Sequence, residues 1–270
     1  MLAAGARAFD ATLVVFHVAR FELPAYFTSA QSDALRRQHQ AQLKQAKDFL
    51  RLHVRKVLGG ETPGVRLQFE TADAHPLDAI LAAAKTRRAD LIVMGTHGRG
   101  GARRLWLGSV AENIVRQASV PVFVARQKQH EFISTSDPKA APGLATVLCP
   151  VNFSEASRSA LQHAVSLAQQ FKARLIAPCI IEPGDKRDVA AAKRELAAWL
   201  DETAAGECEA QILTRTGQAA EQIVSLAAKT EADLVVMGAQ RRRSLRAWIS
   251  GDTTESVLRQ APAPVLVVPH

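Results

Sequence analysis

Apolar and polar positions along this chain follow two alternating periods. Short β-branched runs, "TLVVFHV" at 12–18, "DLIVM" at 90–94, "PVFV" at 121–124, "TVLCPV" at 146–151, "RLIAPCII" at 174–181, "DLVVMG" at 233–238 and "PVLVV" at 264–268, read as buried strands. Between them the apolar residues recur at helical spacing. Ala160, Leu161, Ala164, Val165, Leu167 and Ala168 mark one helix, for which Ser154 supplies a cap. Leu35, Leu43, Ala46, Leu50, Val54 and Val57 mark a long amphipathic helix within 20–58. Further helices are expected around 188–204, 218–230 and 252–260, with another strand near 209–215. Strands regularly separated by helices imply βαβ crossovers, and hence an α/β fold with a parallel sheet covered on both faces.

The pattern is also a repeat. Residues 89–124, "ADLIVMGTHGRGG…GSVAENIVRQASVPVFV", align without gaps on 232–267, "ADLVVMGAQRRRS…GDTTESVLRQAPAPVLV", with 16 identities in 36 positions at an offset of 143. Upstream, "FDATLVVFHV" at Phe9 matches "FKARLIAPCI" at Phe171, at an offset of 162. The first copy therefore carries 19 extra residues, mostly in the region of the long helix. At that offset Met1 falls opposite His163, and nothing in the first copy corresponds to "ATVLCPVNFSEASRSALQ", 145–162. The expected division is a first module at 1–126, a linker at 127–143 rich in proline and polar turn formers, and a second module at 144–270. A missing central strand would leave two unpaired inner edges. Two expectations address this: the numbered start lies inside a longer natural protein, or the strands near 12–18 and 90–95 pair directly.

Composition narrows the class further. With 47% apolar and 22% charged residues the chain has material for buried cores, and 34 Lys and Arg against 26 Asp and Glu give it a net charge of +8, suited to anionic partners in general. Three widely spaced cysteines, Cys149, Cys179 and Cys208, lack metal-ligand spacing and imply a reducing, cytoplasmic setting. No apolar run has the length of a membrane span, so no membrane partner is expected.

Candidate chemistry centres on "MGTHGRGGARRLWLGS", 94–109, which lies between a strand and a helix. In an open parallel sheet ligands lie beyond the carboxyl ends of the strands. Glycines there let backbone N–H groups approach an anion, and a helix start presents unpaired N–H groups. The physical reading is phosphate binding, with Arg103 and Arg104 either adding charge or standing in solvent.

Gly95, Gly98, Gly108 and Ser109 reproduce the spacing G-x2-G-x9-G-[ST], and with "HGRGG", "GSVAE" and "VPVFV" the chain resembles the ATP-binding members of the universal stress protein family in tandem form. The resemblance implies two tandem Rossmann-like, adenine nucleotide alpha hydrolase-like parallel-sheet sandwiches, each with strand order 3-2-1-4-5. It also implies ATP, with Mg2+ as an accompanying ion, held by Met94, Gly95, Gly98, Gly108, Ser109 and Val110, and pairing of the modules through their last strands. The partners expected are thus an adenine nucleotide and the sister module, with a homodimer as an alternative. A nucleotide-independent interaction scaffold with exposed final strands is the second functional expectation. No catalytic constellation is recognisable, so at most a weak ATPase is expected.

The second module departs from the motif: Asn152 stands where the family commonly has Asp, Arg241 replaces the second glycine and Asp252 replaces the motif serine. Arg241 puts bulk, and Asp252 a carboxylate, where phosphate should approach, so ATP binding is not expected there, and Asp252 reads as a helix cap. Arg241, Arg242, Arg243 and Arg246 form a basic cluster without aromatic interleaving, which reads as a solvated loop and not as a nucleic-acid contact. His17 and Cys179 read as core residues in matched central strands, and Cys149 as a buried small hydrophobe. His97 is a loop residue within reach of phosphate, and Trp106 and Trp248 read as packing anchors.

Overall fold

A computed structural model describes residues 6, 9–21, 26–58, 64–96, 107–125, 143–203, 208–239 and 253–270. The chain divides into two compact units, Met1–Arg87 with Ile133–Pro142, and Arg88–Phe132 with Gly143–His270. The division cuts through the first repeat.

The first unit holds a two-stranded parallel sheet of β1 (Thr12–Ala19) and β2 (Arg66–Asp73), in register from Thr12↔Arg66 to Ala19↔Asp73. They are joined by the long helix α1 (Ser29–Val57), and β2 is followed by α2 (Pro76–Thr86). A capping box starts α1: Thr28 Oγ1 accepts from the Gln31 N–H, and the Gln31 side chain accepts from the Thr28 N–H. Leu35, Leu43, Ala46, Leu50 and Val54 are the half-buried stripe of α1, as its periodicity indicates, whereas Val57 stays 69% exposed. Among the described residues of this unit only Ala6 and His39 are buried. His39 stacks on Phe21 at 4.6 Å and holds Nε2 3.2 Å from Asp73 Oδ2. A two-stranded sheet with so little interior is marginal by general experience.

The second unit is built on a seven-stranded sheet in the order β3-β4-β9-β8-β5-β6-β7. Its strands are β3 (Ile92–Gly95), β4 (Val122–Ala125), β5 (Thr146–Leu148), β6 (Arg174–Ile181), β7 (Ala210–Thr216), β8 (Leu234–Ala239) and β9 (Val265–Pro269). The helices are α3 (Ser109–Gln117), α4 (Glu155–Phe171), α5 (Val189–Thr203), α6 (Ala219–Lys229) and α7 (Thr253–Gln260). Counted within the second repeat, the order from β7 to β9 is 3-2-1-4-5. Every neighbouring pair is parallel except β4 and β9. That antiparallel pair joins the two repeats symmetrically: Phe123 faces Leu266, its own counterpart, while Val122 faces Val267 and Val124 faces Val265. A local two-fold relation between the repeats produces such a register. The final strands are consequently paired with each other, which overturns the expectation that they are exposed.

Core packing concentrates under β5, β6 and β8. Leu161, Ala160 and Ala164 of α4 pack with Val147, Leu175 and Val236, all at 0% exposure. Ser154 caps α4, its Oγ accepting the Ser157 N–H at 3.2 Å. Strand β5 is shorter than the apolar run suggests, because Pro150 has no N–H to give a ladder; beyond it only the Val151↔Cys179 bridge continues the pairing. Cys149 and Cys179 are buried and free, not disulfide-linked. Burial pushes both thiols above their ordinary range; at Cys179 the nearby Arg187 pulls down, while Asp185 and Glu195 push further up.

Two expectations fail. Strand β1 pairs with β2 and β3 with β4, so β1 and β3 do not re-pair; the crossover helix α1 ties β1 to β2 over eight positions of register. His17 is half-buried and not a core residue, because its strand belongs to a two-stranded sheet instead of sitting centrally.

Candidate functional site

Two places at the carboxyl ends of the strands of the second unit have site character. The first is the turn from β3 into α3. Met94 and Gly95 end β3; Leu107, Gly108, Ser109 and Val110 lead into the helix, and Gly98 with His97, Arg103, Arg104 and Trp106 lies outside the described residues. Gly108 is the helix N-cap with φ −63° and ψ 145°, so it needs no positive φ. Its requirement is steric: a Cβ would sit 3.2 Å from the Thr96 carbonyl oxygen, which accepts the Gly108 N–H at 2.8 Å. That amide is therefore spent on closing the loop. The first helical bond runs from the Glu112 N–H to the Gly108 oxygen, leaving the amides of Ser109, Val110 and Ala111 outside the helical ladder. Among the described residues no side chain caps this helix start. At the strand end, Ile92 and Thr96 donate toward β4, to Pro121 and Ala125, and strand alternation turns the Met94 peptide group the same way, into that ladder. Of the two strand-end residues, Gly95 is the one whose backbone faces away from β4.

The second place is a cavity of about 420 Å³ where β5, β6 and β8 end, within the roughly 300–1,000 Å³ of small-molecule sites. Val151, Ile180, Ile223 and Met237 give it an apolar wall; Asn152, Glu182, Asp185 and Arg187 give it a polar mouth, and Arg116 reaches it from α3. Asn152 Oδ1 accepts the Ser154 N–H at 3.2 Å and its hydroxyl at 2.7 Å, a turn that presents Ser154 as the α4 cap. The oxygen that an acidic residue would offer a ligand is thus committed to the cap. Phe153, next in the chain, has φ 61°, a left-handed strain of about 1–3 kcal/mol, held by this turn and by its edge contact with Trp199 at 5.4 Å. Asp185 fixes Arg187 through Nη2 at 2.8 Å and Nε at 2.9 Å, and Arg187 Nη1 donates to the main-chain carbonyl oxygen of Asn152 at 3.3 Å. Glu182 accepts the Ala219 N–H at 3.0 Å, at the start of α6.

Gly238, counterpart of Gly95, has a different duty. A Cβ there would lie 2.0 Å from the Ala156 oxygen, so β8 and α4 approach as only a glycine allows. Arg241, Arg242, Arg243, Arg246, Trp248 and Asp252 lie outside the described residues. Glu182, Asp185, Arg187 and Arg116 carry no motif; the one sequence signal for the first three is the turn "EPGD" at 182–185 closing β6. Among the described residues no group of His, Cys, Asp and Glu could hold a metal ion, and no helix is long and apolar enough to cross a membrane.

The model of the universal stress protein family matches residues 1–126 and again 144–269. The chain belongs to the universal stress protein family. A universal stress protein of Mycobacterium tuberculosis is 30% identical over 195 residues, covering 67% of this chain and 62% of that protein. One from Mycolicibacterium smegmatis is 28% identical over 218 residues, covering 77% and 71%. With a universal stress protein of Methanocaldococcus jannaschii the identity is 35% over 100 residues, 37% of this chain and 53% of the relative, so the chain spans about half the length of that protein. The crystal structure of a universal stress protein from Archaeoglobus fulgidus shares the fold at TM-score 0.69 and 20% identity, over 99% of this chain and 91% of that one. As a tandem universal stress protein, the chain has an α/β fold of the Rossmann-like, adenine nucleotide alpha hydrolase type.

Proposed function

We propose that this universal stress protein is a nucleotide-responsive regulatory protein of the cytoplasm that binds ATP, with Mg2+, through the glycine loop of its first module, 1–126. The observation that carries the reading is the uncapped start of α3, where the amides of Ser109, Val110 and Ala111 stand outside the helical ladder behind a glycine N-cap. Such a helix start is a general anion site, and the exposed Ser109 hydroxyl adds one further donor. Gly95 and Gly98 contribute backbone without a Cβ in the way, Gly108 shapes the turn and Val110 offers its backbone N–H, whereas the backbone contact expected of Met94 is taken up in the ladder with β4. The bound state would act by shifting the population of conformers that differ in nucleotide affinity. Chemistry on the phosphate is not required for that role.

Calorimetry with MgATP tests the assignment. The wild type is expected to give saturable heat that Gly98→Arg and Ser109→Asp remove; equal heats in all three would reject the loop as the site. The second reading, a scaffold that has lost nucleotide, is favoured by Arg241 and Asp252 in the second loop. It predicts that heat-denatured, freshly purified protein releases neither ATP nor ADP and that MgATP gives no heat.

A further inference from the structure

The third strand of the second repeat, β7, ends its sheet, and the equivalent strand of the first repeat, β2, pairs only with β1 among the described residues. This edge belongs to the 3-2-1-4-5 order itself, since β7 is an edge in the repeat that carries all five strands. An open groove of about 830 Å³ runs along β2, lined by Leu67, Gln68, Phe69 and Glu70. Successive strand residues point to opposite faces, so four in a row share one groove only along the strand's edge. Such an edge presents a row of N–H and C=O groups, a template for a further strand. The opposite wall of the groove is basic. Lys47, Arg51 and Arg55 of α1 line it together with Asp48 and Leu52, and Lys44 continues their row toward the helix start. Both carboxylates of the groove are engaged: Asp48 lies 3.4 Å from Arg51, and Glu70 pairs with Arg87. Among the described residues Lys44, Lys47 and Arg55 have no ion-pair partner. Helix α1 carries seven Lys and Arg against two Asp, whereas α5, the crossover helix that precedes β7, carries two basic residues against three acidic ones. The basic wall is thus particular to the first repeat, in the region of its 19 extra residues.

We propose that this groove binds an extended acidic segment of a partner protein, added as a strand along the free edge of β2 with acidic side chains at alternate positions facing Lys47, Arg51 and Arg55. Charge and spacing together define the occupant. Residues four apart on a helix rise about 6 Å, and alternate residues of a strand rise about 6.7 Å. Three acidic residues at i, i+2 and i+4 therefore meet the three cations one to one, and α1 packs along β2, which keeps the two rows aligned. The intervening residues are β-branched and not proline, because they stand in a ladder. Leu52, 69% exposed at the rim, adds an apolar contact. A second copy using the same groove fits less well, since a two-fold contact sets the basic rows of both copies against each other. Nucleic acid also fits less well: Asp48 and Glu70 line the groove, and its aromatic ring, Phe69, is half-buried instead of offering a stacking platform. Main-chain bonds supply affinity in this mode of recognition, and the basic row supplies register and choice of partner.

The test uses the full chain and a fluorescein-labelled synthetic peptide of alternating Glu and Val, three of each, between glycines. Anisotropy at low salt is expected to show saturable binding, weakened about tenfold by Arg51→Glu combined with Arg55→Glu, which turns ion pairs into like-charge contacts. Added salt should weaken it further. Circular dichroism of the double variant is expected to stay that of the wild type, since both side chains are exposed. A peptide of the same composition with its glutamates in one block should bind several-fold more weakly to the unaltered chain. Methylating alternate peptide amides should abolish binding in one register and spare it in the other, because only one set of amides faces β2. Absence of saturable binding, or equal binding by the blocked peptide, by both methylated peptides or to the double variant, overturns the proposal. So does tighter binding of oligothymidylate or of phosphatidylglycerol vesicles than of the peptide, lost in the same variant, which would assign the row to nucleic acid or lipid. Self-association in sedimentation that the double variant removes would assign the groove to a second copy and overturn it equally.

Discussion

Strands β3 and β8 share five of six residues over 90–95 and 233–238, yet they live in different surroundings. In β8 the sequence Leu234–Met237 is buried throughout, at 4%, 0%, 0% and 6% exposure, and Gly238 lies against the backbone of α4. In β3, Leu91 is open to solvent, Val93 and Met94 are half-covered and Gly95 is exposed. The difference comes from β5 and the first half of α4, within residues 145–162, which flank β8 in the second repeat. Identical residues are therefore buried in the second repeat and more exposed, among the described residues, in the first. The same contrast governs the sites: the second repeat has a formed cavity with a degenerate loop sequence, the first has the complete glycine motif.

Paired substitutions can break this comparison. The largest effect is expected at Gly238. Gly238→Val must push β8 from α4 and should cost more than about 3 kcal/mol, at or above the usual range for overpacking, whereas Gly95→Val should lie within about 0.5 kcal/mol, as at exposed sites. Urea unfolding of both variants measures the gap; similar losses would mean that β3 is covered as β8 is. Leu234→Ala should cost about 2–5 kcal/mol as a buried large-to-small change, and Leu91→Ala much less by the same assay. Asp233→Ala strands the amides of Ala145 and Thr146 and should cost about 1.5–3 kcal/mol; Asp90→Ala should leave the melting temperature where it is.

The smallest effect concerns the thiols. Burial raises Cys149 and Cys179 above the ordinary range, and burial with the neighbouring Glu209 raises Cys208. Because the folded values are raised, the unfolded chain ionises first. The associated stability is complete below the ordinary thiol value and declines as pH climbs above it. A disulfide reagent at neutral pH should therefore modify half-buried Cys208 slowly and spare Cys149 and Cys179 until urea is added. Fast reaction of all three in native buffer would contradict the packing around β5.

Much of the second repeat was legible as pattern. The helical spacing from Ala160 to Ala168 and the continuous apolar run of β6 follow from burial on one helix face and on both sheet faces. Pro150 shortens β5 for a reason visible in the sequence, although the apolar run alone suggests a longer strand. The cavity was less legible. Glu182, Asp185 and Arg187 sit in an ordinary turn, and only the approach of β5, β6 and β8 gives that turn a floor. Gly108 shows the converse: its place in a motif is plain, but the structure assigns its amide to the Thr96 oxygen instead of leaving it for a ligand.

The sequence by itself determined the repeat, the α/β alternation, the glycine spacing and membership of the family, because periodicity and turn chemistry are local. Tertiary structure alone decided which copies of the same residues are buried, which amides remain outside a ladder, and that the final strands pair with each other about a local two-fold. Those outcomes depend on which strand lies alongside, and a neighbour distant in sequence leaves no trace in the local pattern.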